Sequence, residues 1–133
     1  MSSFSTAITG CVLGLTLATP SSVAQSVTPM RGEPRSVMDK FAVRIVVGNP
    51  YKQKQYFNVR VYDEKFYPVS AQVTPPVAGL GPNGTRSVLV VVPFDGAKTR
   101  RVRICAEGLF GTENISQLRT QVCGKFFATH IGS

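Results

Sequence analysis

A chain of 133 residues with 43% hydrophobic content is long enough for one domain with a buried core. It has no tryptophan and one histidine, His130, which excludes a histidine-built metal cluster and the Ser/His/Asp and Cys/His catalytic sets. Fifteen lysines and arginines against seven acids give a formal net charge of +8, a balance that favours anionic partners such as lipid headgroups, envelope polysaccharide, nucleic acid or an acidic protein.

The first 24 residues carry no charged side chain. Residues 7–19, "AITGCVLGLTLAT", are apolar and are followed by Pro20 and "SSVAQ". Ser22 and Ala24 supply the two small residues that a signal peptidase reads. The expectation is a signal peptide over residues 1–24, cleaved after Ala24, although its start lacks the usual basic residues. The apolar run is too short to span a membrane, so no transmembrane segment is expected in the mature chain. "ITGC", residues 8–11, resembles a lipobox that would acylate Cys11, but here the apolar run continues past the cysteine instead of preceding it. The mature domain is then residues 25–133, and it keeps every charged side chain.

A polar lead containing prolines, "QSVTPMRGEPRS", opens that domain. Apolar and polar residues then alternate with the period of a half-buried strand. "KFAVRIVV" (40–47) puts Phe41, Val43, Ile45 and Val47 on one face. "YFNVRVY" (56–62) puts Phe57, Val59 and Val61 inward and Asn58, Arg60 and Tyr62 outward. "VSAQV" (69–73) alternates in the same way. "RSVLVVV" (86–92) is a continuous β-branched run, the pattern of a strand covered on both faces. "TRRVRICA" (99–106) and "TQVCGKFFATHI" (120–131) are the last two strands. Between these runs lie turn clusters at 48–53, 62–68, 74–85, 93–99 and 108–116, and "ENISQLRT" (113–120) has room for one helical turn. Six or seven short strands with turn signals between them predict an all-β, immunoglobulin-like antiparallel sandwich.

In "RRVRICAE" (100–107) the apolar side is Val102, Ile104 and Ala106, and Cys105 falls with Arg101, Arg103 and Glu107. Cys123 likewise alternates with Gln121 and Lys125. Loss of the signal removes Cys11 and leaves this even pair, which in an exported chain implies a disulfide. If the two strands are antiparallel neighbours, Cys105–Cys123 staples them from the outer face. Closing a loop of 18 positions is worth roughly 3 kcal/mol in the chain-entropy account.

"VGNPYKQKQYFNVRVYDE" (47–64), "VTPPVAGLGPNGTRSVLVVVPF" (73–94) and "TRRVRICAE" (99–107) together resemble the immunoglobulin-like N-terminal domain of periplasmic pilus-assembly chaperones. The resemblance covers residues 37–107. It implies an Asn opening the loop between two strands, and a protein partner bound in the cell envelope. It also implies a basic pair that anchors the partner's C-terminal carboxylate; Arg31 or Arg35 with Lys125 stand at comparable places. Those chaperones have two domains, and this chain has the length of one. Their last strand carries alternating bulky apolar residues, whereas Gly124 interrupts "VCGKFFATHI".

No nucleophile–base pair, carboxylate pair or phosphate-cradling loop can be read, so no enzymatic activity and no cofactor are expected. "GLGPNG" (79–84) lies between strands and reads as a turn. "NGT" (83–85) and "NIS" (114–116) are glycosylation sequons that matter in a eukaryotic host. The candidate partner-binding residues are Arg60, Arg101, Arg103, Lys125 and Phe127, on an outer face that Tyr62 joins if its strand is the neighbour. Export and the absence of an aromatic-interleaved basic groove argue against nucleic acid. The expected function is an exported, periplasmic or secreted binding module that recognises a protein partner by edge-strand addition. The alternative is a structural or adhesive envelope protein whose basic face meets anionic polysaccharide or lipid. The final segment is rich in β-formers, and only Gly132 and Ser133 follow it, so it is expected to lie uncovered.

Overall fold

The structure, a computed structural model, describes residues 10, 14–15, 26–109 and 119–132. The signal peptide with its cleavage site, Cys11, the "NIS" sequon and most of the 108–116 loop lie outside the described residues. The lead is more than a linker: it forms β1 (Ser26–Thr28), β2 (Arg31–Gly32) and β3 (Arg35–Ser36). The long strands β4 (Lys40–Gly48) and β5 (Gln55–Tyr62) follow where the two-residue period placed them. Next come β6 (Gln72–Thr74), β7 (Val77–Leu80), β8 (Thr85–Pro93), β9 (Thr99–Leu109) and β10 (Arg119–His130). Among the described residues there is no helix.

The strands make two sheets, an immunoglobulin-like sandwich. One has the order β1-β4-β8-β6; the other has the order β2-β10-β9-β5-β7, with β3 also on β10. Phe41, Ile45, Val88, Val90 and Val92 from the first sheet meet Phe57, Val59, Val61, Ile104 and Phe126 from the second. Phe94 stacks on Phe41 with ring centres 5.0 Å apart. Asn49, at the end of β4, is buried and satisfied. Its Nδ2 donates to Gln53 O (2.9 Å), Leu80 O (3.0 Å) and Gly81 O (3.1 Å), and its Oδ1 accepts from Tyr51 N (3.0 Å). This asparagine ties the loop that it opens to the end of β7.

Four expectations change. The run 86–92 is not covered on both faces: Val88, Val90 and Val92 are buried, but Leu89 is 37% exposed, because no layer packs outside the first sheet. The 74–85 turn contains a strand, β7, whose Ala78 and Leu80 face the core; Pro76 and Pro82 keep it to four residues. In "VSAQV" only the last two residues enter a strand. Val69 N still donates to Val61 O on the second sheet (2.9 Å), and the chain then crosses to pair β6 with β8 on the first. The lead also changes sheets. β1 runs antiparallel to β4, while β2 and β3 run parallel to β10. Pro29 and Pro34 have no N–H to give a ladder, so the lead bonds in short pieces.

Candidate functional site

Strand β10 therefore has an outer neighbour over part of its length. Lys125 N donates to Met30 O (2.8 Å), Thr129 N to Pro34 O (3.0 Å) and, just past the strand, Ile131 N to Ser36 O (2.8 Å). Backbone groups alternate in direction along a strand, so the odd-numbered residues of β10 face its outer edge and the even-numbered ones bond to β9. Residues 125–131 are covered by the lead. Among the described residues, no strand pairs with 121–124 on the outer side. The expectation of an uncovered final segment thus holds for 121–124 and fails for the rest, because the lead reaches β10 only after it leaves the first sheet at Thr28.

Where cover begins, Phe126 turns into the core, 2% exposed. A Cβ on Gly32 would lie 3.0 Å from its ring, and one on Gly124 would lie 2.9 Å from the ring and 3.2 Å from Met30 O. Gly124, read as a gap in a donor strand, is the space that the Phe126 ring fills.

The outer face of the second sheet is built in rows by register. Cys105 stands between Arg60 on β5 and Cys123 on β10. The two cysteines are bonded, Cα to Cα 4.0 Å, as expected for a closely spaced pair that exchanges no backbone bonds. Cys105 lies on the polar side as its alternation required, yet it is fully buried, since longer side chains stand around it. In the next row Tyr62 faces Arg103, Arg103 faces Lys125, and Lys125 faces Arg31. Arg35 faces Thr129 instead. One row further, Arg101 faces Phe127, with the guanidinium 4.7 Å from the ring centre.

The five residues singled out from the sequence all reach this face, but they do not form one free basic patch. Arg60 approaches Glu107 at 3.9 Å, and Arg101 pairs with Glu64 at 3.3 Å. Sequence reasoning missed Glu107, whose side chain is 12% exposed. It accepts from the Tyr62 hydroxyl and from Gln121 Nε2 (3.1 Å), so it spans β5, β9 and β10. Burial first, and then the bond and charge of Glu107, hold the Tyr62 hydroxyl above its ordinary pKa. Phe66 was missed as well. It has φ 62°, a left-handed backbone that is unfavourable for an aromatic residue, and is 47% exposed, with the Arg103 guanidinium 4.4 Å from its ring centre. Asp63 holds that turn: its Oδ1 accepts from Lys65 N (2.8 Å) and Tyr67 N (2.9 Å). An aromatic inside the turn "YDEKFYP" was the available signal.

Between the lead and this face lies an open cavity of about 540 Å³, lined by Arg31, Arg101, Arg103, Lys125, Glu64 and Phe127 among others. Among the described residues no group of histidine, cysteine or carboxylate side chains is placed to hold a metal ion, and no helix is long and apolar enough to cross a membrane.

No family model matches the sequence, and no curated protein matches it. Solved structures do. The fold resembles the E. coli chaperone DraB, with 20% identity, 81% of this chain and 55% of that chain covered, and a TM-score of 0.64. It resembles the Salmonella enterica complex of the SafA pilin with the SafB chaperone at 17% identity, covering 80% and 54%, TM-score 0.62. It also resembles the PapD-like domain 7 of human CEP192 at 11% identity, covering 96% and 99%, TM-score 0.58. The chain spans about half the length of the chaperones that it matches. The sandwich seen in the sequence pattern and its likeness to pilus-chaperone domains are both present in the fold.

Proposed function

We propose that this protein is an exported, non-enzymatic binding module that takes up a strand of a partner protein along the open half of β10. The observation that carries the reading is the break in cover on that strand. Residues 121–124 present a bare edge beside a half-buried Val122, and the edge ends at Lys125 opposite Arg31. A bare edge is a template for another chain, and main-chain bonds supply the affinity. The remaining edges are short: β1 and β6 have three residues each and β7 has four. In the resembling chaperones a basic pair anchors a partner's C-terminal carboxylate; of the two arginines that were open from the sequence, Arg31 stands beside Lys125. The disulfide between β9 and β10 supports an oxidising compartment, periplasmic or extracellular.

Gln121→Pro tests the reading. Residue 121 points its N–H to the bare edge, so proline there removes an outward donor and leaves the bonds to β9 in place. Wild-type protein is expected to capture a specific protein from the envelope fraction, and the variant to lose it while unfolding at nearly the same denaturant concentration. Equal capture by both would show that the edge is not the binding site.

A further inference from the structure

The cavity beside the open edge holds more positive charge than the chain balances. Arg31, Lys125 and Arg103 stand side by side on three adjacent strands, with Lys125 the register partner of both arginines. Like charges placed directly opposite in a sheet destabilise it. Arg101 adds a fourth cation to the cavity, and the acids lining it are Glu33 and Glu64. Glu64 is engaged with Arg101, and Glu107 is turned to Tyr62, Gln121 and Arg60. Among the described residues no ion pair reaches Arg31, Arg103 or Lys125. The cavity therefore lacks two negative charges.

We propose that the missing charges are two carboxylates at the end of one chain: the C-terminal residue of the added strand is aspartate or glutamate, and Arg103 selects its side chain. This rests on the strand-addition reading above. A terminal carboxylate between Arg31 and Lys125 neutralises one of the two excess charges and leaves Arg103 facing Lys125 without a counter-charge. A second carboxylate on the same residue fills that place. Arg103 is prepared for it. Its guanidinium is held against Phe66 (4.4 Å), and its Nε is shielded from solvent with no hydrogen-bond partner in the chain. A guanidinium held by one face keeps its planar fork of donors for a carboxylate. The strained backbone of Phe66 then has a use: it places the ring where it orients Arg103, which a glycine in that turn would not do.

Three short, soluble peptides of alternating valine and threonine separate the possibilities: one ends in a free aspartate, one in a free asparagine, and one in an aspartate amide. Binding is read by fluorescence anisotropy at physiological salt. The aspartate-ended peptide is expected to bind wild type about tenfold more tightly than the asparagine-ended one, the effect of one charge-assisted pair. In Arg103→Gln that ratio falls to about one, and in Arg103→Lys part of it returns, because the charge is kept and the fork lost. Circular dichroism and urea unfolding confirm that both variants fold. Equal binding of the aspartate and asparagine peptides to wild type overturns the inference alone, as does a ratio that survives in Arg103→Gln. Failure of all three peptides to bind overturns the strand-addition reading, and the inference with it.

Discussion

The two halves of β10 share a partner on one side and differ on the other. Residues 125–130 lie between β9 and the lead; residues 121–124 have β9 alone among the described residues. The covered half is held by backbone bonds to Met30 and Pro34, and by Phe126 wedged between Gly32 and Gly124. The open half is held by the Cys105–Cys123 bond and by Gln121 on Glu107. Where a neighbour is present, packing and hydrogen bonds keep the register of the strand. Where the edge must stay free for another chain, a covalent bond on the outer face keeps it without occupying the edge.

That division of labour can be broken at each half in turn. The largest effect is expected from Phe126→Ala, which empties a buried aromatic site and costs about 3–5 kcal/mol of unfolding free energy in urea; a loss under about 1 kcal/mol would mean that the covered half is not anchored in the core. Replacing Cys105 and Cys123 together by alanine costs roughly 3 kcal/mol by loop closure. In amide exchange the protection of residues 120–124 falls further than that of 125–130, and a uniform loss would remove the distinction between the halves. Gly124→Ala forces a methyl against the Phe126 ring and Met30 O, both near 3 Å. The expected cost is about 1–3 kcal/mol, accompanied by loosening of the lead, which limited proteolysis at residues 30–36 reports.

The smallest effect is a pH dependence at the seam between the halves. Tyr62 has a raised pKa, so the folded state favours its neutral form. Its contribution to stability is complete below the ordinary tyrosine value, about 10, and is lost as pH rises through the higher folded-state value. Ionisation would set a phenolate against Glu107, with Arg60 opposing that repulsion. Unfolding midpoints measured from pH 8 to 11 are expected to fall more steeply in wild type than in Tyr62→Phe. Parallel curves would show that the Tyr62–Glu107 bond does not stabilise the fold.

Much of the sandwich is legible in the residue pattern. Phe41, Val43, Ile45 and Val47 alternate inward as read, and so do Phe57, Val59 and Val61, because the two-residue period belongs to an extended backbone wherever it packs. The pairing of Cys105 with Cys123 and their place on the polar side were legible for the same reason. The strands in the lead were not. Two and three residues are too few to show a period, and their partners lie about a hundred positions away. β7 was hidden because Pro76, Gly79 and Pro82 carry the signature of a turn. The run 86–92 was misread because β-branched residues on an open outer face look the same in sequence as those under a second layer.

At the site, alternation alone put Arg60, Arg101, Arg103, Lys125 and Phe127 on one face. Which of these are free and which are engaged is settled by contacts between strands. Glu107 meets Tyr62 and Gln121 only when β5, β9 and β10 lie side by side, and Phe66 reaches Arg103 only because the 63–67 turn folds back over the sheet. Local geometry, repeated every two residues, determines which side of a strand a residue occupies. The neighbour of that strand, the part of its edge left bare and the charges left unbalanced beside it depend on where distant segments come to rest, and no local pattern in the sequence encodes them.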